Sequence, residues 1–130
     1  MAVGVLTNVS CDEVAGTFSA TLTADASPSA CSIFMGFKPR VIRCTQVSGT
    51  IGNGAFTSAD IGMSAANMIQ TVANGTTTLV TTNGYTFLDG SEAAPAAKAT
   101  NSPASSGPGV TLGTSVQATA SAAYRVEAWR

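Results

Sequence analysis

The sequence predicts an all-β protein, a single-domain β-sandwich of jelly-roll-like outline with an extended N-terminal arm and a long Ala/Ser/Pro loop. Three observations support this prediction. Apolar and polar residues alternate in several short segments, which is typical of strands with one buried face. The densest run of β-branched residues ends at an Asn-Gly pair, a frequent hairpin turn. The length of 130 residues suits one domain with one core, spanning residues 1–130.

Residues 1–15 are expected to form the N-terminal arm. The stretch MAVGVLTNVSCDE contains no basic residue, and its apolar run is too short for a secretory signal. No segment reaches the roughly 18 consecutive apolar residues that cross a bilayer. We therefore expect no membrane partner. We also expect the arm to become ordered on contact with another protein.

The first predicted strand lies in residues 14–24, VAGTFSATLTA. Its alternation places Phe18, Ala20 and Leu22 on one side and hydroxyl side chains on the other, as in a half-buried strand. SIFMGF and RVIRCTQVSG follow as two further short strands. A Lys-Pro pair separates them, and proline, which lacks a backbone donor, suits the start or edge of a strand.

Residues 57–75, TSADIGMSAANMIQTVANG, fit two structures. Apolar residues recur at helical spacing, and the segment begins with residues that could cap a helix. Gly62 disfavours a helix by about 1 kcal/mol relative to Ala. In the alternative, Ile61-Gly62-Met63 and residues 68–72 are two short strands with irregular links. We favour the strands.

The strongest local signal is a hairpin over residues 74–90, NGTTTLVTTNGYTFLDG. The β-branched run favours a strand, and Asn83-Gly84 suits a two-residue turn in which both residues have positive φ. A turn of this length would place Thr82 opposite Tyr85 and pair the segments before and after it in one sheet.

The Ala/Ser/Pro loop occupies residues 93–109, AAPAAKATNSPASSGPG. Its composition builds no core of its own, so we expect it to be either mobile or laid along a partner surface. GVTLGT and AAYRVEAWR follow as the closing strands. The second of these places Tyr124, Val126 and Ala128 on one face and Arg125, Glu127 and Trp129 on the other.

The residue types give no support for catalysis. The chain has no histidine, which removes the commonest general base near neutral pH and the histidine ligands of zinc. Cys11, Cys31 and Cys44 are widely spaced and are expected to be free, mostly buried thiols. The seven carboxylates are scattered and match no calcium loop. We expect a protein that is not an enzyme, with no catalytic residue, no cofactor and no metal.

Half of the basic residues fall in one stretch, MGFKPRVIRC. In a strand, Lys38 and Arg40 would point to one face and Arg43 to the other, so the charges line no single groove. The formal net charge is −1, and such a chain has no field that attracts nucleic acid. We expect no nucleic-acid partner, and arginines that pair with acidic groups of a neighbouring chain.

Together with GTTTLVTTNGYTFLDG, GVTLGT and YRVEAWR, this stretch resembles small β-rich virion proteins of tailed phages, of the capsid decoration (cement) type, over residues 35–130. The resemblance implies a protein made in the host cytoplasm that lies on the capsid exterior as a homotrimer and binds the major capsid protein. The candidate capsid or oligomer contacts are Lys38, Arg40, Arg43 and Trp129.

A carbohydrate-binding or host-adhesion module, on a head fibre or tail, is the alternative. Such modules present aromatic platforms, and Trp129, Tyr85 and Tyr124 are the candidates in this sequence.

Overall fold

A computed structural model describes residues 3–50 and 55–130, and these residues form ten β-strands and no helix. The strands are β1 (Val5–Asp12), β2 (Thr17–Thr23), β3 (Cys31–Phe34), β4 (Val41–Gln46), β5 (Phe56–Asp60), β6 (Met68–Thr71), β7 (Thr77–Val80), β8 (Tyr85–Asp89), β9 (Pro108–Leu112) and β10 (Ala123–Trp129). They form two antiparallel sheets, one of seven strands in the order β1-β2-β10-β4-β5-β6-β7 and one of three in the order β3-β9-β8. The all-β sandwich predicted from the sequence is confirmed.

The core lies between the two sheets. The seven-stranded sheet contributes the alternating apolar side chains of β2 and β10, which are all buried, as their pattern predicts: Phe18, Ala20, Leu22, Tyr124, Val126 and Ala128. The three-stranded sheet contributes a matching set from its own inner face: Cys31, Ile33, Tyr85, Val110 and Leu112. Burial of these apolar surfaces is the main force that holds the sheets together.

The predicted hairpin over residues 74–90 is wrong. β7 pairs with β6 in the seven-stranded sheet, whereas β8 pairs with β9 in the three-stranded sheet. Asn83 does have a positive φ of 58°, but the chain uses it to pass from one sheet to the other. Hydrogen bonds from Gly113 to the Gly84 carbonyl (2.8 Å) and from Ser115 to the Asn83 carbonyl (3.0 Å) fix this crossing.

Gly84 is needed at this crossing because of a close approach. A Cβ atom at this position would lie 2.6 Å from the carbonyl oxygen of Ala66, which is closer than real Cβ contacts. The Gly84 amide donates to that same oxygen at 3.1 Å. An Asn-Gly pair is therefore present for tight packing between sheets, and the turn preference that predicted a hairpin was misleading.

The described part of the predicted arm, residues 3–15, does not project from the domain. Most of the segment is β1, which pairs with β2 from Val5↔Thr23 to Asp12↔Thr17. Leu6 is fully buried in the core. The β-branched and hydroxyl residues around it suit a strand that covers the edge of β2.

Residues 57–75 contain no helix. β5 begins before this range and β6 matches the predicted strand over residues 68–72, but Ile61-Gly62-Met63 forms a turn rather than a strand. Gly62 donates its amide to the Asp60 carboxylate at 2.8 Å, which closes that turn. Side-chain hydrogen bonding by an aspartate thus ends β5 at the point where the alternating pattern appeared to start a new strand.

Within the predicted loop, residues 97–104 bond to this chain's own strands, and residues 108 and 109 already belong to β9. Isolated bridges join Thr100 to Val5 of β1 and Lys98 to Ser32 of β3. Ala99 between them is fully buried. The segment therefore links an edge of one sheet to an edge of the other, a role that its low-complexity composition did not predict.

Candidate interaction surface

The outward side of the seven-stranded sheet carries a defined pattern of exposed side chains. We call the outward-pointing side chains of β2, β10, β4 and β5 the outer face. Their alternating burial shows that each second residue of these strands is exposed or half-buried. Threonine and serine dominate on β2, while β10 supplies Arg125, Glu127 and Trp129.

The register of the strands brings charged residues together on this face. Glu127 of β10 lies between Ser19 of β2 and Arg43 of β4. One row further along, Trp129 lies between Thr17 and the exposed Val41. The position of β10 between β2 and β4 is what places these side chains side by side.

Arg43 is the centre of this cluster. Its Nε donates to Oε1 of Glu127 at 3.0 Å, and its guanidinium carbon lies 5.1 Å from the centre of the Trp129 ring. The Arg43 side chain remains 46% exposed, so the ion pair is screened by water and adds little to the stability of the fold. The contacts hold three functional groups in one orientation at the surface: a guanidinium, a carboxylate and an indole.

A shallow depression of about 210 Å³ lies next to the cluster, over β1, β2 and β10. Its lining is mainly polar and includes Ser10, Thr17, Ser19, Arg125, Glu127 and Trp129. Hydroxyls, a guanidinium and a carboxylate can donate and accept hydrogen bonds at several angles, and the indole adds an apolar wall. Such a lining suits a polar partner surface or a polyhydroxyl ligand.

The residues predicted as contacts are only partly brought together. Arg43 and Trp129 touch, and Arg40 joins them through its backbone amide, which donates to the Trp129 carbonyl at 2.7 Å while its side chain is exposed. Lys38 is half-buried and lies elsewhere, since its charge acts on Asp89 of the other sheet. Hydrogen bonds from Ser91 are the main cause of the lowered pKa of Asp89, and Lys38 lowers it further.

Sequence reasoning missed Glu127 and Arg125 as site residues. The alternation of β10 did place both on the same side as Trp129. The side chains that these two residues contact belong to the neighbouring strands. No local sequence pattern predicts that β4 and β2 flank β10. The serine positions on β1 and β2 were missed for the same reason.

In the described part of the chain, the buried hydroxyl and thiol groups form no second site of this kind. The hydroxyls of Thr57 and Tyr85 are hydrogen-bonded at 2.6 Å inside the core. Burial raises the pKa of the Cys44 thiol to about 12 and raises the pKa of Tyr85 and Cys31 as well. The two buried cysteines and the half-buried Cys11 are free thiols, as predicted. Such protonated, enclosed groups stabilise packing and are poor nucleophiles.

Across residues 3–50 and 55–130, no group of three or more Cys, Asp or Glu side chains is placed to hold a metal ion. In the same ranges no helix has the length and apolar character to span a bilayer.

Comparison of the chain with protein-family models, with curated proteins and with solved structures finds no match.

Proposed function

We propose that this protein is a structural virion protein that binds the outer surface of a phage capsid and stabilises the shell. The supporting observation is the outer face, a wide, mostly uncharged sheet surface with one oriented cluster of Arg43, Glu127 and Trp129. Tryptophan and arginine are the residues that most often carry the binding energy of protein interfaces. From the resemblance of residues 35–130 to decoration proteins we take the major capsid protein as the proposed partner.

The proposed mechanism is thermodynamic. Each copy would contact neighbouring capsid subunits through the outer face, and this contact exists only while those subunits are assembled. A ligand that binds the assembled state alone stabilises it by mass action, so the shell opens at higher temperature when the protein is bound.

The first experiment measures the copy number of this chain relative to the major capsid protein, by quantitative mass spectrometry of purified virions. A copy number comparable to that of the major capsid protein supports decoration. A few copies per particle would assign the chain to a fibre, vertex or tail, and its absence from virions would refute the proposal.

A second experiment tests the surface. Shells stripped of this protein are mixed with the wild-type chain or with Arg43→Ala, Trp129→Ala or, as a control, Val14→Ala. Val14 lies in the turn between β1 and β2 and is 88% exposed. We expect the first two variants to bind at least tenfold more weakly and the control to bind normally. Equal binding by all variants would remove the cluster from the contact.

The depression beside Trp129 favours one alternative, a carbohydrate-binding or host-adhesion module. Its hydroxyl and charged lining next to an indole is a common arrangement for holding a sugar ring. A glycan array with the wild-type chain and with Trp129→Ala tests it. A specific signal lost in the variant would support the alternative, and no signal at any glycan would exclude the tested sugars.

A further inference from the structure

Two sheets have four edges, and in the described residues three of these edges are blocked. At β1, the ladder with β2 shifts between Thr7 and Ser10, where Asn8 adopts a positive φ of 52°. Thr100 covers the start of the same edge, because it accepts from the Leu6 amide at 2.9 Å and donates to the Gly4 carbonyl at 3.0 Å. A bulge and a covering segment are the usual protections against edge pairing.

The edges of the three-stranded sheet are protected as well. Along β3, Ser32 exchanges backbone hydrogen bonds with residues 97 and 99, and the Phe34 amide donates to Ser102 Oγ at 2.8 Å. Along β8, the Tyr85 carbonyl accepts from the Ala66 amide, and the Asp89 amide donates to the Glu92 carboxylate. β3 is therefore covered by its own chain, and β8 is closed at both of its ends, at Tyr85 and at Asp89.

β7 has none of these protections. Its ladder with β6 is regular, with no shift from Met68↔Val80 to Thr71↔Thr77. No Asp, Glu, Lys, Arg or Pro occurs between residues 61 and 88. Residues 77–79 are exposed, and the Leu79 side chain is 56% exposed on the outward side.

The turn between β6 and β7 shows which backbone groups of β7 point toward its free edge. The Val72 amide donates to the Thr76 carbonyl at 3.1 Å, so this pair belongs to the hydrogen-bonded set of the ladder. Hydrogen-bonded and non-hydrogen-bonded pairs alternate in an antiparallel ladder. Thr78 therefore directs its backbone groups to β6, whereas Thr77 and Leu79 direct theirs away from the sheet, where the described residues offer them no partner.

We propose that β7 is a self-association edge, where two copies of the chain pair antiparallel about a two-fold axis that passes through Thr78. In this register Thr77 of one copy lies opposite Leu79 of the other, and both pairs exchange backbone hydrogen bonds. The two outer faces then continue into one surface. The inference concerns self-association alone and does not depend on capsid binding.

A second copy is the occupant that the strand fits best. The neutral stretch of residues 61–88 gives no charge that would select a charged partner or repel an identical one. Two copies of one strand have the same length, so each residue of β7 finds a partner. The proposed register also brings Thr78 of one copy opposite Thr78 of the other, and threonine pairs across strands are favourable. A four-residue strand buries less area than a standard interface, so the association is expected to be weak and concentration-dependent.

A two-fold contact links copies in pairs. A homotrimer, which the resemblance implies, would require a different contact. The mass of the protein oligomer in solution decides between a dimer and a trimer. We expect sedimentation velocity, over about 10 μM to 1 mM chain, to show conversion toward twice the chain mass of 13.0 kDa.

Two substitutions test the edge. Leu79→Lys places a charge on the free edge without removing a hydrogen bond to β6, and we expect it to weaken association at least tenfold. Val14→Lys adds the same charge at another exposed site and should leave association unchanged. A wild-type chain that stays monomeric throughout, or an oligomer that Leu79→Lys does not weaken, would overturn the proposal.

A third variant gives a readout that does not depend on weakening the edge. In the proposed register the two Thr78 residues form a non-hydrogen-bonded pair, whose Cα atoms lie about 4.5 Å apart, within the range of a disulfide. Thr78→Cys should therefore give a covalent dimer under mild oxidation, whereas the unaltered chain with its native cysteines should not. Failure of a folded Thr78→Cys variant to cross-link faster than Val14→Cys would refute the register.

Discussion

At the scale of single residues, the core combines apolar packing with a few enclosed polar groups. Tyr85 is buried, and its hydroxyl is the one polar group of its side chain. That hydroxyl forms a hydrogen bond of 2.6 Å with the hydroxyl of Thr57 on the opposite sheet. This bond joins β8 to β5 across the sandwich and fixes their relative position. Buried hydroxyl pairs of this kind specify one arrangement of two sheets, because a buried hydroxyl without a hydrogen bond destabilises the fold.

We expect Tyr85→Phe to lower the free energy of unfolding by about 1–3 kcal/mol, since it leaves the Thr57 hydroxyl buried without its partner. Urea denaturation measures the loss. The matched control is the double variant Tyr85→Phe/Thr57→Val, which removes both hydroxyls. A double variant that loses the full sum of the two single losses would show that the hydroxyls do not interact.

Stability should also fall at high pH. Burial raises the pKa of Cys44 from the ordinary value of 9.0 to about 12, so the unfolded chain loses this proton first as the pH rises. The stabilisation is complete below pH 9 and declines as the pH approaches 12, by up to about 1.4 kcal/mol per pH unit for each such group. Tyr85 and Cys31 act in the same direction because burial raises the pKa of each.

Urea denaturation between pH 8 and about 10.5 measures this slope. Cys44→Ala should be less stable at every pH because of the cavity, but its slope should be smaller than that of the wild-type chain. An identical slope in both proteins would mean that Cys44 does not contribute to the pH dependence.

At the scale of strands, β1 is part of the sandwich through a single large side chain. Leu6 is fully buried, while its neighbours Val5 and Val9 are more than a third exposed. The strand also covers the edge of β2 with a full ladder. Removal of residues 1–15 would therefore expose that edge and open the core.

We expect Leu6→Ala to lower the free energy of unfolding by about 2–5 kcal/mol, from lost burial and the cavity that remains. Val9→Ala on the same strand should cost about 0.5 kcal/mol or less, since Val9 is exposed. Thermal denaturation of the two variants gives the comparison. A cost for Leu6→Ala as small as that for Val9→Ala would restore the interpretation of residues 1–15 as a peripheral arm.

The same scale shows what the sequence could predict. Strands with strict alternation, β2 and β10, were predicted with their buried faces because period-two patterning is local. The pairing of β7 with β6, and of β8 with β9, was missed because a short crossing between sheets and a two-residue hairpin turn both use Asn-Gly. Only the tight packing around Gly84 distinguishes them. Among the residues predicted as contacts, Arg43 and Trp129 lie together in the structure, whereas the position of Glu127 beside Arg43 required knowledge of the strand order.

At the scale of the whole molecule, electrostatics contributes little to stability. The chain has six basic and seven acidic residues, and one ion pair, Arg43–Glu127, is present in the described ranges. That pair lies at the surface, where salt bridges contribute about 0–1 kcal/mol. The hydroxyl-rich exterior takes the place of the charged exterior that is typical of soluble domains.

We therefore expect the melting temperature to change by no more than about 3 °C between 0.05 and 0.5 M NaCl, because screening removes only weak interactions. Differential scanning calorimetry at neutral pH measures it, with Arg43→Ala as the comparison. A large decrease with salt in the wild-type chain alone would show that the ion pair is far more stabilising than its exposure suggests.

The position of β10 has a consequence for how the protein forms during synthesis. β10 is the last of the ten strands to leave the ribosome, yet it lies between β2 and β4. Until it emerges, the β1-β2 hairpin has no connection to the rest of the large sheet, and both facing edges are open. The large sheet thus stays incomplete until β10 has been made, and insertion of β10 between β2 and β4 closes it in one step. Folding should be slow for a chain of this size, because the decisive contacts join residues separated by about 80–110 positions.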